Sequence, residues 1–270
     1  MSGGNPLAGC EEKLERAELH LETLKAHVGL FFEGKPDAYR IVSEVDKKAS
    51  RFVGRVKIAR EPPLPWSVIV GDYLHNLRCV LDHLMRQLVI ANGERPTYNN
   101  AFPLFDQEPP EDASNGERAR WEGNVEGVSA DALRFVQFCQ PYNALDGDPG
   151  AHTLAGLRRL SNQDKHRTLV PALCAVHGAP ELFKIDLIRY QDVLRPTGKI
   201  TVHAGRPLKD NDVVFESPIT ITGPDPIVET DGKAAVDIGF GSPPVAMKGL
   251  EQMSQAVNMV LRNCRRFIDS

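Results

Sequence analysis

The stretch Gly71–Leu88, "GDYLHNLRCVLDHLMRQL", sorts into two faces. Each helical residue turns the chain by roughly 100°. With His75 at zero, Asp72, Cys79, Asp82 and Arg86 fall within about 60° of it and His83 within about 80°, with Arg78 on the other flank. The opposite arc holds Leu74, Leu77, Val80, Leu81, Leu84, Met85 and Leu88, an unbroken apolar stripe. The spacing predicts a long helix with one wall in a core. An ordinary solvated face accounts for the periodicity, but it does not account for the residue types. Solvated helix faces favour Glu, Lys, Gln and Arg, whereas this one uses His, Asn and Asp and contains neither Lys nor Glu. Such side chains suit hydrogen-bond geometry or proton transfer.

Towards the N-terminus, Glu11–Phe32 spaces Leu14, Leu19, Leu21, Leu24 and Val28 as an amphipathic helix ending near Gly34-Lys35-Pro36. Between the two helices, "DAYRIVSEVD" and "RFVGRVKIAR" alternate, predicting a β-hairpin over 38–60 that turns at Lys47-Lys48. Towards the C-terminus, Asn92-Gly93 stops the long helix, and Glu94–Gly127 reads as loop-rich. Ser129–Gln140 is a helix with Ser129 as its N-cap and Pro141 as its stop. "TLAGLRRLSNQDKHR" restores helical spacing up to Arg167.

Beyond Arg167 come short β-like runs, "TLVPALCAVHG", "ELFKIDLIRYQ", "GKITVHAG", "DVVFESPITITG" and "KAAVDIGFG", and then a helix over Pro244–Ile268. Strands and helices fall in blocks and do not alternate, which predicts an α+β fold. The expected architecture is a bundle of four to five helices with one antiparallel sheet, built from the 38–60 hairpin and the 168–241 segment. It forms a single domain over 1–270. Its helical parts are 10–32, 65–92, 118–167 and 244–269, and its β portion is 37–60 and 168–241.

The totals narrow the function. The chain has 270 residues, 41% hydrophobic and 25% charged, with a net charge of -4. That charge argues against a broad electrostatic grip on nucleic acid and leaves room for a local basic pocket. No apolar run approaches the roughly 20 residues of a membrane span, and "MSGGNPLAGCEEKLER" lacks the pattern of a secretory signal. The five cysteines are scattered without a C-x-x-C pair, the usage of a reduced cytoplasmic protein. No phosphate-binding glycine loop, dinucleotide fingerprint, H-E-x-x-H or nucleophile elbow is present, and no cofactor is expected.

A second polar knot lies in "LSNQDKHR": Asn162, Asp164, Lys165, His166 and Arg167. Cations at a helix C-terminus favour the dipole, which explains Lys165 and Arg167. It explains Asn162 and Asp164 less well and does not require His166.

These two segments resemble a set of bacterial proteins that carry "HNLR-x-x-LDH" on one helix and "N-x-x-DKHR" on another, with "FP" and "QPY" between them. Here the motifs run His75–His83, Asn162–Arg167, Phe102-Pro103 and Gln140-Pro141-Tyr142. That resemblance groups the chain without implying an activity. Arg78 and His83, as "RCVLDH", are also similar to the Arg-x4-His pair of HEPN-type ribonucleases, which are helical bundles. The likeness implies RNA as partner, metal-independent cleavage by that pair, and a cleft completed by a second protomer in a homodimer. Cys79, where a polar residue often follows the Arg, and the large β portion both depart from that superfamily.

Three functions follow. In RNA cleavage, His83 serves as base or acid, His166 takes the complementary role, and Arg78 clamps the phosphate with Lys165 or Arg167. Asp82 or Asp164 then orients an imidazole, and His75, Asn76 and Asn162 support the site. In a metal-dependent hydrolase, His75, Cys79 and His83 ligate, but the two histidines lie about 12 Å apart along the axis, so no metal ligand is assigned. In a non-enzymatic interaction protein, Asp82 and His83 form a polar network with Lys165, His166 and Arg167 that locks helices together.

Overall fold

A computed structural model of the chain describes residues 5–111, 116–144, 147–175, 194–221 and 236–268. The run "ELFKIDLIRYQ" lies outside the described residues. The class is α+β, as the block pattern predicts. The chain divides into two compact units. One comprises Met1–Leu24, Ser67–Leu169 and Lys248–Ser270, and the other Lys25–Trp66 and Val170–Met247.

The described helices are α1 (Ala8–Glu33), α2 (Trp66–Ala91), α3 (Gly116–Val125), α4 (Ala130–Phe138), α5 (Thr153–His166) and α6 (Met247–Cys264). The apolar stripe of α2 is buried throughout: Leu74, Leu77, Val80, Leu81, Leu84, Met85 and Leu88 are each at most 1% exposed. Leu14 and Leu21 of α1, Val136 of α4, Leu157 and Leu160 of α5, and Leu250 and Val257 of α6 are also buried in this unit. Tyr73, beside the stripe, donates its hydroxyl hydrogen to Leu250 O and lies 3.0 Å from Ser254 Oγ, pinning α2 to α6. Ser129 caps α4 as expected, its hydroxyl accepting from Ala132 N, and Gly93 at φ +79° closes α2.

Helix α3 stands where two expectations overlap, the loop-rich stretch 94–127 and the helical part 118–167. Its sequence, "GERARWEGNV", buries only Trp121 and Val125, so the apolar period that would announce it is nearly missing. The last helix starts later than expected, because Val245-Ala246 pairs as a strand before it.

The other unit contains the strands β1 (Tyr39–Asp46), β2 (Arg51–Ile58), β3 (Pro171–Ala175), β4 (Leu194–Pro196), β5 (Thr201–Val202), β6 (Val213–Ile221), β7 (Val236–Phe240) and β8 (Val245–Ala246). They form two antiparallel sheets where one was expected. The first has the order β1-β2-β6-β4 with β5 also on β6, and the second is β3-β7-β8. Alternation along a strand fixes which face is buried but not which distant strand becomes its partner, so the split is silent in the local pattern. The hairpin pairs Tyr39 with Ile58 and Asp46 with Arg51, in the expected place. Gly54 stands opposite Phe215 on β6, and a Cβ at Gly54 would fall 2.2 Å from that ring. The glycine lets the buried Phe215 ring lie across β2.

Candidate functional site

Three of the four motifs converge on one loop of the helical unit, residues 101–106. On α2, Arg78 Nη2 donates to Asp82 Oδ1 at 2.9 Å and to Phe102 O at 3.2 Å, and Asp82 Oδ1 accepts from Phe102 N at 3.0 Å. The one-turn spacing of Arg78 and Asp82 thus grips both polar groups of a single buried residue. Just beyond, the fully buried Gln140 accepts from Phe105 N at 3.1 Å and donates from Nε2 to Pro103 O at 2.9 Å and to Val136 O at 3.0 Å. The "FP" loop is therefore held on one side by the α2 motif and on the other by the glutamine of "QPY".

The fourth motif meets the same loop across a cavity of about 160 Å³. Its cations come from three helices: Arg78 on α2, Arg120 on α3, and Arg158 and Lys165 on α5. Ser161, Asn162 and Asn124 add neutral polar groups, Glu117 is the one carboxylate in the wall among the described residues, and Phe102 and Phe105 give it apolar surface. Positions 158, 161, 162 and 165 share one side of α5 because they step by three and four residues. Arg120 lies 5.8 Å from the centroid of the Phe105 ring, which packs edge-on against Trp121. Arg158 Nη2 donates to Asp106 Oδ2, while Arg158 Nε and Asp106 Oδ1, both buried, have no partner among the described residues.

Of the residues singled out in the sequence, the cavity gathers Arg78, Asn162 and Lys165. Arg158 was legible one helical turn before Asn162. Arg120, Glu117 and Asn124 were hidden by the weak period of α3, and Asp106 by its place in a loop.

The remaining site residues are placed elsewhere. Asp164 packs against α2, where a Cβ on Gly71 would lie 2.8 Å from its Oδ2. Burial pushes the Asp164 carboxyl above its ordinary value; the nearby Asp72 carboxylate adds to the rise and His75 opposes it. His75 is exposed, with Nε2 3.5 Å from Cys79 Sγ. Asn76, expected on the polar face, is instead buried: Nδ2 donates to Asp72 O at 2.7 Å, and Oδ1 accepts from Lys13 Nζ at 3.3 Å. α1 packs over that edge of α2, which the sequence of α2 alone does not announce. His83 is exposed, and a Cβ on Gly9 would stand 3.9 Å from its Nδ1. His166 ends α5, and Arg167 leaves it in extended conformation with its amide on Gln163 O; both side chains are exposed. Neither His83 nor His166 is among the cavity walls.

All five cysteines are free thiols. Burial pushes Cys10 and Cys174 up to about 11 and Cys139 and Cys264 up to about 12, so these four are inert as nucleophiles. Among the described residues, no three His, Cys, Asp or Glu side chains are grouped to hold a metal ion, and no helix is long and apolar enough to cross a membrane. No protein-family model, curated protein or solved structure matches the chain.

Proposed function

We propose that the helical unit binds a phosphate-type anion in the cavity between α2, α3 and α5, with an RNA backbone as the polymer that presents it. One observation carries the proposal: Arg78, Arg120, Arg158 and Lys165 surround one small cavity with, among the described residues, a single carboxylate in its wall. Guanidinium forks and an ammonium supply directed donors for phosphate oxygens, and asparagine and serine donors complete a polar lining. A net charge of -4 does not oppose this, because the cations are local.

Metal-independent RNA cleavage by Arg78 with His83 and His166, in a homodimer, is the enzymatic extension of this proposal. It rests on the Arg-x4-His resemblance and on the exposure of both imidazoles. Cleavage requires an imidazole within hydrogen-bond reach of the scissile group, so its test is separate from that of binding.

The experiment is fluorescence anisotropy with a labelled single-stranded RNA over a salt series, for wild type, Lys165→Ala and Arg120→Ala, with a cleavage assay alongside for His83→Ala and His166→Ala. Each cation removed should weaken binding several-fold and reduce the salt slope by up to about 0.7 for each phosphate no longer engaged. Equal affinity in all three proteins would refute the binding site. Unchanged cleavage in both histidine variants, or no cleavage in wild type, would remove the nuclease.

A second reading is favoured by a specific observation, the grip of Arg78 and Asp82 on the Phe102 backbone. In it the polar motifs are a non-enzymatic lock supporting a partner-binding surface. It predicts variants at Arg78 that lose stability and no affinity for RNA in wild type.

A further inference from the structure

We infer that Asp106 is a resident counter-ion that tunes this pocket towards a singly charged phosphate-type group and away from doubly charged ones. The inference rests on the proposal that the pocket binds such an anion. Three observations support it.

The first is charge. The four cations of the pocket stand against three carboxylates: Asp82 on Arg78, Asp106 on Arg158, and Glu117 in the wall. Among the described residues, four against three leaves a balance of +1. One negative charge neutralises that set, whereas two overshoot it. The second is the incomplete Arg158–Asp106 pair. Arg158 lines the cavity while its Nη2 is spent on Asp106, so a ligand there meets a guanidinium whose charge is already balanced. Asp106 lies outside the wall but is bonded to Arg158 within it, and so keeps a negative charge near the cavity, its buried Oδ1 facing no donor among the described residues. A dianion is repelled by that carboxylate about twice as strongly as a monoanion. The third is size. A cavity of about 160 Å³ holds a single head group, being well below the roughly 300–1,000 Å³ that encloses whole small molecules. Selection therefore falls on the charge of that one group. Asp82 has a different task, since its Oδ1 also holds Phe102 N; Asp106 is the carboxylate that can be neutralised without unpinning Phe102.

The probes are dimethyl phosphate, a monoanionic diester, and methyl phosphate, a dianion at pH 8 because its second ionisation lies near pH 6. Binding of each to the full chain is followed by NMR of the 15N-labelled protein at low salt. Wild type should bind dimethyl phosphate at least as tightly as methyl phosphate. Asp106→Asn keeps the shape and an acceptor for Arg158, and should shift the affinity ratio about 5- to 20-fold towards methyl phosphate, the scale of one charge a few ångströms away in a partly solvated site. Glu117→Gln, at an exposed position, should move the ratio the same way by less, and gives an independent reading should Asp106→Asn fold poorly. A wild-type preference for methyl phosphate overturns the inference, as does a ratio unmoved in the folded variants, and either leaves the binding proposal standing. Failure of both probes to bind any of the proteins overturns the binding proposal, and this inference with it.

Discussion

Asp82 is the residue at which a catalytic and an architectural role separate most sharply. Its Oδ1 accepts from Arg78 at 2.9 Å and from Phe102 N at 3.0 Å, and Phe102 is 1% exposed. Asp82→Ala leaves the Phe102 amide without its acceptor, costing about 1–3 kcal/mol for a buried donor. The ion pair adds less than about 1 kcal/mol, since the Arg78 and Asp82 side chains keep 21% and 37% of their exposure. The expected loss is thus about 1–4 kcal/mol. Asp82→Asn retains an oxygen for Phe102 and should lose only about 1 kcal/mol. His83→Ala, one position on but exposed, should change stability by less than about 0.5 kcal/mol. Urea unfolding gives the total, read as a midpoint shift at unchanged slope. Hydrogen exchange at the Phe102 amide gives the local effect: protection falls by a factor of about 10 or more in Asp82→Ala and is largely kept in Asp82→Asn. Equal stability of wild type and Asp82→Ala, with Phe102 protection unchanged, would refute the clamp. A loss in Asp82→Asn as large as in Asp82→Ala would show that the charge matters and not the acceptor.

Other consequences are as direct. Gly54→Ala should destabilise by about 1–3 kcal/mol in chemical denaturation through overpacking against Phe215, and the penalty should vanish when Phe215→Ala is combined with it. Because the folded-state pKa of Asp164 is raised, its protonated form is the favoured one; that contribution is present below the ordinary carboxyl range and lost as pH rises through the raised value. Asp164→Asn should therefore raise the unfolding midpoint at neutral pH and leave it unchanged near pH 3, and an opposite sign would refute the burial argument. Alkylation of the native protein at pH 8 should modify Cys79, the one half-buried thiol, and spare Cys10, Cys139, Cys174 and Cys264 until denaturant is added; mass spectrometry counts the adducts.

What could be read from the sequence was whatever local period encodes. Leucine spacing in Gly71–Leu88 gave α2 its buried wall, and alternation in 38–60 gave the hairpin, because both patterns follow from backbone geometry. Helix α3 was legible only as the front of the helical span 118–167 and without its own bounds, because two buried residues in ten make no clear period. The second sheet was lost because β3 and β7, some sixty residues apart, carry no local mark of their pairing. The same limit applied to the site. Unusual residue types on α2 and α5 drew attention to Arg78, Asn162 and Lys165, which do meet at one cavity. Nothing local revealed that Arg120 would arrive from α3, or that Asp106 would occupy Arg158.

The polar residues of α2 therefore divide by what their atoms hold. Asp82 serves the backbone of the 101–106 loop, Asn76 holds Asp72 O of its own helix and Lys13 of α1, and Arg78 serves Phe102 while lining the cavity. His75 and His83 stay exposed. A histidine is informative in a sequence because its proton lies near neutral pH, but its chemistry requires a substrate atom within reach. Arginine needs only an anion, and four basic side chains around one small cavity are already an anion's counterpart. Binding is thus the part of the function that static geometry supports by itself. Cleavage needs one further fact, that an imidazole arrives at the phosphate, and the two histidine variants assayed for RNA cleavage and not for folding are what decide it.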